Sequence, residues 1–158
     1  MDDASTPPYE FSDLLVLARL SWLREMSAQL RTLGFDRFTR GDSAVMRLVA
    51  RGPVPLGRTG AALGISRQAS RKLVDRLERQ GYVRTERDVD DARVINVVIT
   101  PDGDRYARAL SRVADRLNRQ LEARVDHADL VAADTVLRAF VTDPGLAERI
   151  DSLVPRPG

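Results

Sequence analysis

The sequence predicts a mainly α fold with a small β-hairpin wing, and three observations carry that prediction. Apolar residues recur three and four positions apart over most of the 158-residue chain. Residues 58–80 read as helix, turn, helix. A period-two run of β-branched residues, Ile95, Val97 and Ile99, follows soon after. The chain is long enough to bury a core of its own.

The first helix is expected along the stripe Phe11, Leu15, Ala18, Trp22, Met26, Leu30 and Leu33, widened by Leu14 and Leu23. Ser12 is its expected N-cap and Gly34 its stop. A second helix is expected from Asp42 or Ser43 through Ala50, capped by Asp42 and closed by Arg51-Gly52-Pro53. Pro53-Val54-Pro55-Leu56 can be at most a short edge strand, because two prolines remove ladder donors. A weak helix spans 58–63 and ends at Gly64. Ser66 then caps a helix reaching Gln80, whose buried face is Ser70, Leu73, Val74 and Leu77 and whose stop is Gly81.

Tyr82 to Arg87 and Arg93 to Thr100 form the arms of a hairpin around the acidic turn Asp88-Val89-Asp90-Asp91-Ala92. Thr100-Pro101 restarts a helix, with threonine as cap and proline first. Its stripe is Tyr106, Leu110, Val113, Leu117 and Leu121. A further helix is expected from Asp129 to Val141, and a short last one after Asp143-Pro144 carries Leu146, Ile150 and Leu153. Residues 1–8 and 155–158 are expected to fray.

Composition excludes several chemistries. There is no cysteine, hence no disulfide, thiol switch or thiolate-bound metal, and His127 is the single histidine. No Ser-His-Asp arrangement, phosphate loop or metal-ligand spacing is present, so no enzymatic activity, cofactor or metal is expected. No apolar run approaches the roughly 20 residues of a membrane span. Met1 to Ala4 is acidic and unlike a secretory leader, so a cytoplasmic location is expected.

Net charge is only +2, but its distribution is uneven. Residues 58–84 hold seven basic side chains (Arg58, Arg67, Arg71, Lys72, Arg76, Arg79, Arg84) against Asp75 and Glu78. Both ends of the chain are acidic. A basic centre in a neutral framework is the footprint of a nucleic-acid reader, although a solvated charged face has the same composition.

With its core face removed, the helix after Ser66 presents Arg67, Gln68, Arg71 and Lys72 together, near its N-terminus. Arginine can contact guanine and glutamine adenine through paired hydrogen bonds in the major groove, and Ala69 could touch a thymine methyl. Arg58, Arg84 and neighbours would meet phosphates. In the wing, Arg87 and Arg93 stand among acidic residues. Asp91 could pair with the guanidinium of Arg93 and aim it into a minor groove, or the two could form an ordinary surface ion pair.

The stretches Leu63-Gly64-Ile65-Ser66, Leu73-Val74-Asp75-Arg76-Leu77-Glu78-Arg79-Gln80-Gly81-Tyr82-Val83-Arg84, Asp91-Ala92-Arg93 and Val97-Val98-Ile99-Thr100-Pro101-Asp102-Gly103 resemble the MarR (multiple-antibiotic-resistance regulator) family signature. Ile99 stands where that family has leucine, and Thr59-Gly60 where it has Leu-Ala. Gly57 and Gly60 leave the pose of 58–63 open, because glycine weakens a helix interior.

The resemblance implies a winged helix-turn-helix at 42–101 and a helical dimerisation region from 9–41 and 102–154. It further implies a homodimer on palindromic double-stranded DNA, acting as a repressor, with Arg93 in the minor groove, Asp91 holding it, and 67–72 reading the major groove. Leu15, Trp22, Leu110, Leu117, Leu137 and Phe140 are more apolar cover than the winged domain needs and would join across chains; a monomeric helical lid is the alternative. Many relatives release DNA on binding a small aromatic or anionic effector. Trp22, Met26, Met46 and Arg47 could line such a pocket, or be plain core. A different reading is a winged-helix protein-interaction or architectural module without operator specificity.

Overall fold

The computed structural model describes residues 10–141. The terminal helix expected to carry Leu146, Ile150 and Leu153, and the ends expected to fray, lie outside them. The described chain runs α1 (Phe11–Thr32), α2 (Arg40–Val49), β1 (Val54–Pro55), α3 (Leu56–Leu63), α4 (Arg67–Arg79), β2 (Val83–Arg87), β3 (Ile95–Ile99), α5 (Pro101–Glu122) and α6 (His127–Phe140). The antiparallel sheet has the order β1-β3-β2, with Val54 opposite Val97, Val83 opposite Ile99 and Arg87 opposite Ile95. The double-proline segment is indeed confined to an edge. No helix among the described residues is long and apolar enough to cross a membrane.

Most helix boundaries follow the sequence, and the exceptions have local causes. Ser12 does not cap α1. Extended Glu10 does, its carbonyl accepting from the backbone N–H groups of Asp13 and Leu14. Asp42 is not the cap of α2 either. Thr39 is, and the Asp42 carboxylate three residues on accepts the Thr39 backbone N–H at 2.7 Å. This is a capping box with aspartate in the reciprocal position. The helix accordingly starts at Arg40 and ends at Val49. The α6 helix starts at His127, two residues before the expected Asp129, with Asp126 as its N-cap.

The two strongest caps behave as read. Ser66 Oγ accepts from the Ala69 N–H at 3.1 Å, and Thr100 Oγ1 from the Gly103 N–H at 3.0 Å. The doubt raised by Gly60 resolves as a close approach. The α3 helix forms, and a Cβ at Gly60 would stand 3.1 Å from both Ile65 O and Ser70 Oγ. The helix-turn-helix is packed through that glycine.

The core lies where α1, α2, α4, α5 and the sheet meet: Leu30, Val45, Met46, Val74, Leu77, Val97, Tyr106 and Val113 are all buried. Full burial of each such aliphatic side chain contributes about 1.5–3 kcal/mol. Two of the predicted dimer residues, Leu110 and Leu117, belong to this core, at 6% and 7% exposure. They face inward because α5 packs its apolar stripe onto α1 and α2 of its own chain. At the junction of winged segment and α5, Phe35, Tyr82 and Tyr106 form an aromatic cluster, with Tyr82 and Tyr106 stacked at 4.4 Å. Gly103 seats this junction: a Cβ there would fall 1.8 Å from Tyr82 O.

Candidate nucleic-acid interface

Because Ser66 fixes the start of α4 and Ser70, Val74 and Leu77 point it inward, Arg67, Gln68, Ala69, Arg71 and Lys72 must face out, and all five are exposed. The hairpin folds back beside that face. Between them lies a cleft of about 760 Å³. Arg67, Gln68, Arg71 and Lys72 line one side and Arg93 the other, over a floor of Pro55, Leu56, Gly57, Val94 and Ile95. Four cations on one concave surface repel one another unless an anion lies among them.

One carboxylate stands near this face: Asp75 Oδ1 accepts from Arg71 Nε at 2.8 Å. The bond uses the Nε edge of the guanidinium, so both Nη groups keep free donors.

The wing is built differently from the sequence expectation. Asp91 does not pair with the Arg93 guanidinium; its Oδ1 accepts the Arg93 backbone N–H at 3.0 Å. A two-residue offset suits such a local bond, and it leaves the guanidinium to reach the cleft. The tip is organised by Asp88, whose Oδ1 accepts the N–H groups of Asp90 and Asp91 and whose Oδ2 accepts from Asn96 Nδ2 at 2.6 Å. The Asn96 bond first, then the two backbone donors, hold the Asp88 carboxyl below the usual aspartate range. Asn96 is buried on β3, and the period-two reading of that strand gave no hint of its partner.

The remaining expected contacts sit around the cleft rather than in it. Arg58 is exposed on α3, and Arg87 is exposed at the end of β2. Arg84 is tied to Glu86 at 2.9 Å, and Ser66 spends its hydroxyl on the cap. Of the residues expected around an effector, Met26 and Met46 are buried in the core, and Trp22 and Arg47 are exposed. A separate cavity of about 550 Å³ lies instead between the α1–α2 connection and α5, lined by Leu33, Gly34, Phe35, Arg105, Arg108 and Arg112. Sequence reading missed it because its arginines lie on the side of α5 away from the stripe.

Four predicted dimer residues are on the surface: Leu15, Trp22, Leu137 and Phe140, the last 66% exposed. Phe140 stacks on Phe11 at 5.0 Å, joining the start of α1 to the end of α6. None of the residues of α6 is buried, and Leu14, Val16, Leu17 and Leu20 of α1 are exposed as well. Among the described residues no group of three or more His, Asp or Glu side chains is placed to hold a metal ion.

Residues 38–94 match the family model described as MarR family. A stretch of 50 residues is 46% identical to an uncharacterised HTH-type transcriptional regulator, YcgE, of Bacillus subtilis. That alignment spans 32% of this chain and only 31% of YcgE. The fold is similar to that of FabT of Streptococcus pneumoniae, solved in complex with DNA, at TM-score 0.71 and 17% identity, over 82% of this chain and 91% of that one. It is also similar to BpsR of Bordetella bronchiseptica, whose DNA binding is regulated by 6-hydroxynicotinic acid. There the TM-score is 0.60 and the identity 23%, over 86% and 99% of the two chains. Both likenesses are of fold.

Proposed function

We propose that this chain, whose winged segment matches the MarR family model, is a dimeric transcriptional repressor of that family binding a palindromic operator. The observation that carries this reading is the convergence of Arg67, Gln68, Arg71 and Lys72 with Arg93 on one cleft between helix start and wing. In it α4 enters a major groove, Arg71 and Gln68 meet base edges, and Arg93 reaches the adjacent minor groove. Arg58 and Arg87 add phosphate contacts, so affinity falls steeply with salt.

Dimerisation is supported by the exposed apolar positions of α1 and α6. Leu15, Trp22, Leu137 and Phe140 would be covered by the same surface of a second copy, and a twofold axis sets the two α4 helices about 34–36 Å apart. Release by an effector is supported by the cavity beside Phe35. Its arginines suit the carboxylate of a small aromatic acid, and Leu33 and Phe35 suit its ring. This site is distinct from the pocket expected at Trp22, Met26, Met46 and Arg47.

Selection from a random duplex library tests the function. A palindromic motif should emerge, and Gln68→Ala or Arg71→Ala should relax single positions in each half, while Arg93→Ala lowers affinity throughout. Equal affinity for selected and random duplexes would instead favour an architectural module. Thermal shifts with aromatic acids test the effector, since a ligand of the folded state raises stability by mass action, and Arg112→Ala should abolish the shift.

A further inference from the structure

The cleft explains what α4 touches, but not what holds α4 at its angle to the rest of the chain. One buried carboxylate does much of this. Asp42 is 1% exposed on α2, and its Oδ1 accepts from Arg76 Nη2, which projects from α4 outside the cleft. The same Nη2 donates to Thr39 Oγ1 at 2.7 Å, and Thr39 Oγ1 in turn donates to Asp42 Oδ1 at 2.8 Å. On the other side stands Tyr106 of α5, itself fully buried, whose hydroxyl is held protonated by burial and by the Asp42 charge. One carboxylate thus joins α2, which carries it, to α4 through the guanidinium, and α2 in turn packs on α5.

With its carboxylate buried and its guanidinium side chain 35% exposed, this ion pair is a discrete contact. Removing one partner leaves an uncompensated buried group, so the helices cannot slide by small steps while keeping it. The Arg76 Nε has no hydrogen-bond partner, which leaves Asp42 and Thr39 as the acceptors that orient this side chain.

We propose that Asp42 is a specificity-determining positioning residue: by seating α4 through Arg76 against α2, which itself packs on α5, it sets the half-site spacing that the dimer accepts. This rests on the dimeric, operator-binding reading above. Base preference within a half-site belongs to Arg67, Gln68 and Arg71, which travel with α4. The distance and twist between two α4 helices across a twofold axis depend instead on how each is fixed to its own framework. Weakening the seat should blur spacing and leave half-site sequence preference intact.

The test uses the full-length protein and a series of duplexes with the selected half-sites, one base pair closer, at the selected spacing, and one or two base pairs apart. Wild type should lose roughly tenfold or more in affinity for each one-base-pair change. Asp42→Asn, which keeps the side-chain volume and removes the charge, should lose less than about threefold per step. Its base preference within each half-site should match wild type. Arg76→Gln should flatten the spacing profile in the same way, and it carries the test if Asp42→Asn does not fold. Profiles as steep as wild type in the folded variants overturn the proposal, as does an equal loss at every spacing, which is what a merely structural role would give. A wild-type profile that is flat, with protein that sediments as a monomer, refutes the dimer reading and the proposal with it. A flat profile from a dimer refutes the proposal alone.

Discussion

Asn96, buried near the start of β3, donates its side-chain N–H to the Asp88 carboxylate at 2.6 Å, and the shape of the wing turn depends on that bond. Asp88 in turn gathers the backbone N–H groups of Asp90 and Asp91, and Asp91 takes that of Arg93. A chain of local bonds therefore runs from the core of the sheet to the backbone of the arginine at the cleft.

The Asp88 carboxyl is held low, so its folded-state pKa lies below the ordinary value of about 3.9. A depressed carboxylate contributes stability that is present above the unfolded value and lost as pH falls through the folded one. The wing should hold its form from neutral pH down to about 4 and loosen below it. In NMR titrations Asn96→Ala should move the Asp88 midpoint up toward the ordinary range, since the Asn96 bond is its largest cause.

Asp91→Ala should weaken operator binding through Arg93 without removing a contact of its own. The lost bond is to the Arg93 backbone N–H, worth about 0.5–1.5 kcal/mol in a folded wing. Affinity measured by fluorescence anisotropy should fall about tenfold or less, and Arg93→Ala with Asp91→Ala together should cost little more than Arg93→Ala alone. Additive losses would mean that Asp91 acts independently of the arginine.

Gly103→Ala should be severely destabilising for one added methyl. The new Cβ would meet Tyr82 O, a backbone atom that cannot rotate away, at 1.8 Å. That oxygen also accepts the Thr100 N–H at 3.1 Å, so moving it breaks the joint between the α4–β2 connection and α5. A loss of about 3 kcal/mol or more is expected from chemical denaturation at fixed protein concentration.

Leu117→Ala and Phe140→Asp should separate the core of one chain from the surface proposed to join two. Leu117 is buried within the described chain, so its truncation should cost about 2–5 kcal/mol of folding stability. Phe140 is largely exposed, so an aspartate there should leave the fold intact and shift sedimentation from dimer toward monomer. A Phe140→Asp protein that still sediments as a dimer would move the interface elsewhere.

Much of this protein is determined by local sequence. Ser66 and Thr100 cap, Ser70, Val74 and Leu77 define the inner face of α4, and that alone decides that Arg67, Gln68, Arg71 and Lys72 face outward. These are interactions among residues a few positions apart, and hydrogen bonding and helical period suffice to read them. The Thr39–Asp42 capping box was equally local, and its S/T-x-x-acid spacing could have been recognised.

Tertiary structure alone decided the rest. The sequence pattern marks Leu15, Leu110, Leu117 and Phe140 as apolar stripes without distinguishing them, because periodicity reports which face is apolar and not what covers it. In the fold Leu110 and Leu117 of α5 are covered by other helices of their own chain, while α6 buries none of its residues. Likewise Asp42 and Arg76 are 34 positions apart, and only the packing of α2 on α4 brings carboxylate and guanidinium together. Long-range pairing depends on how helices dock, and that is a property of the assembled core rather than of any segment within it.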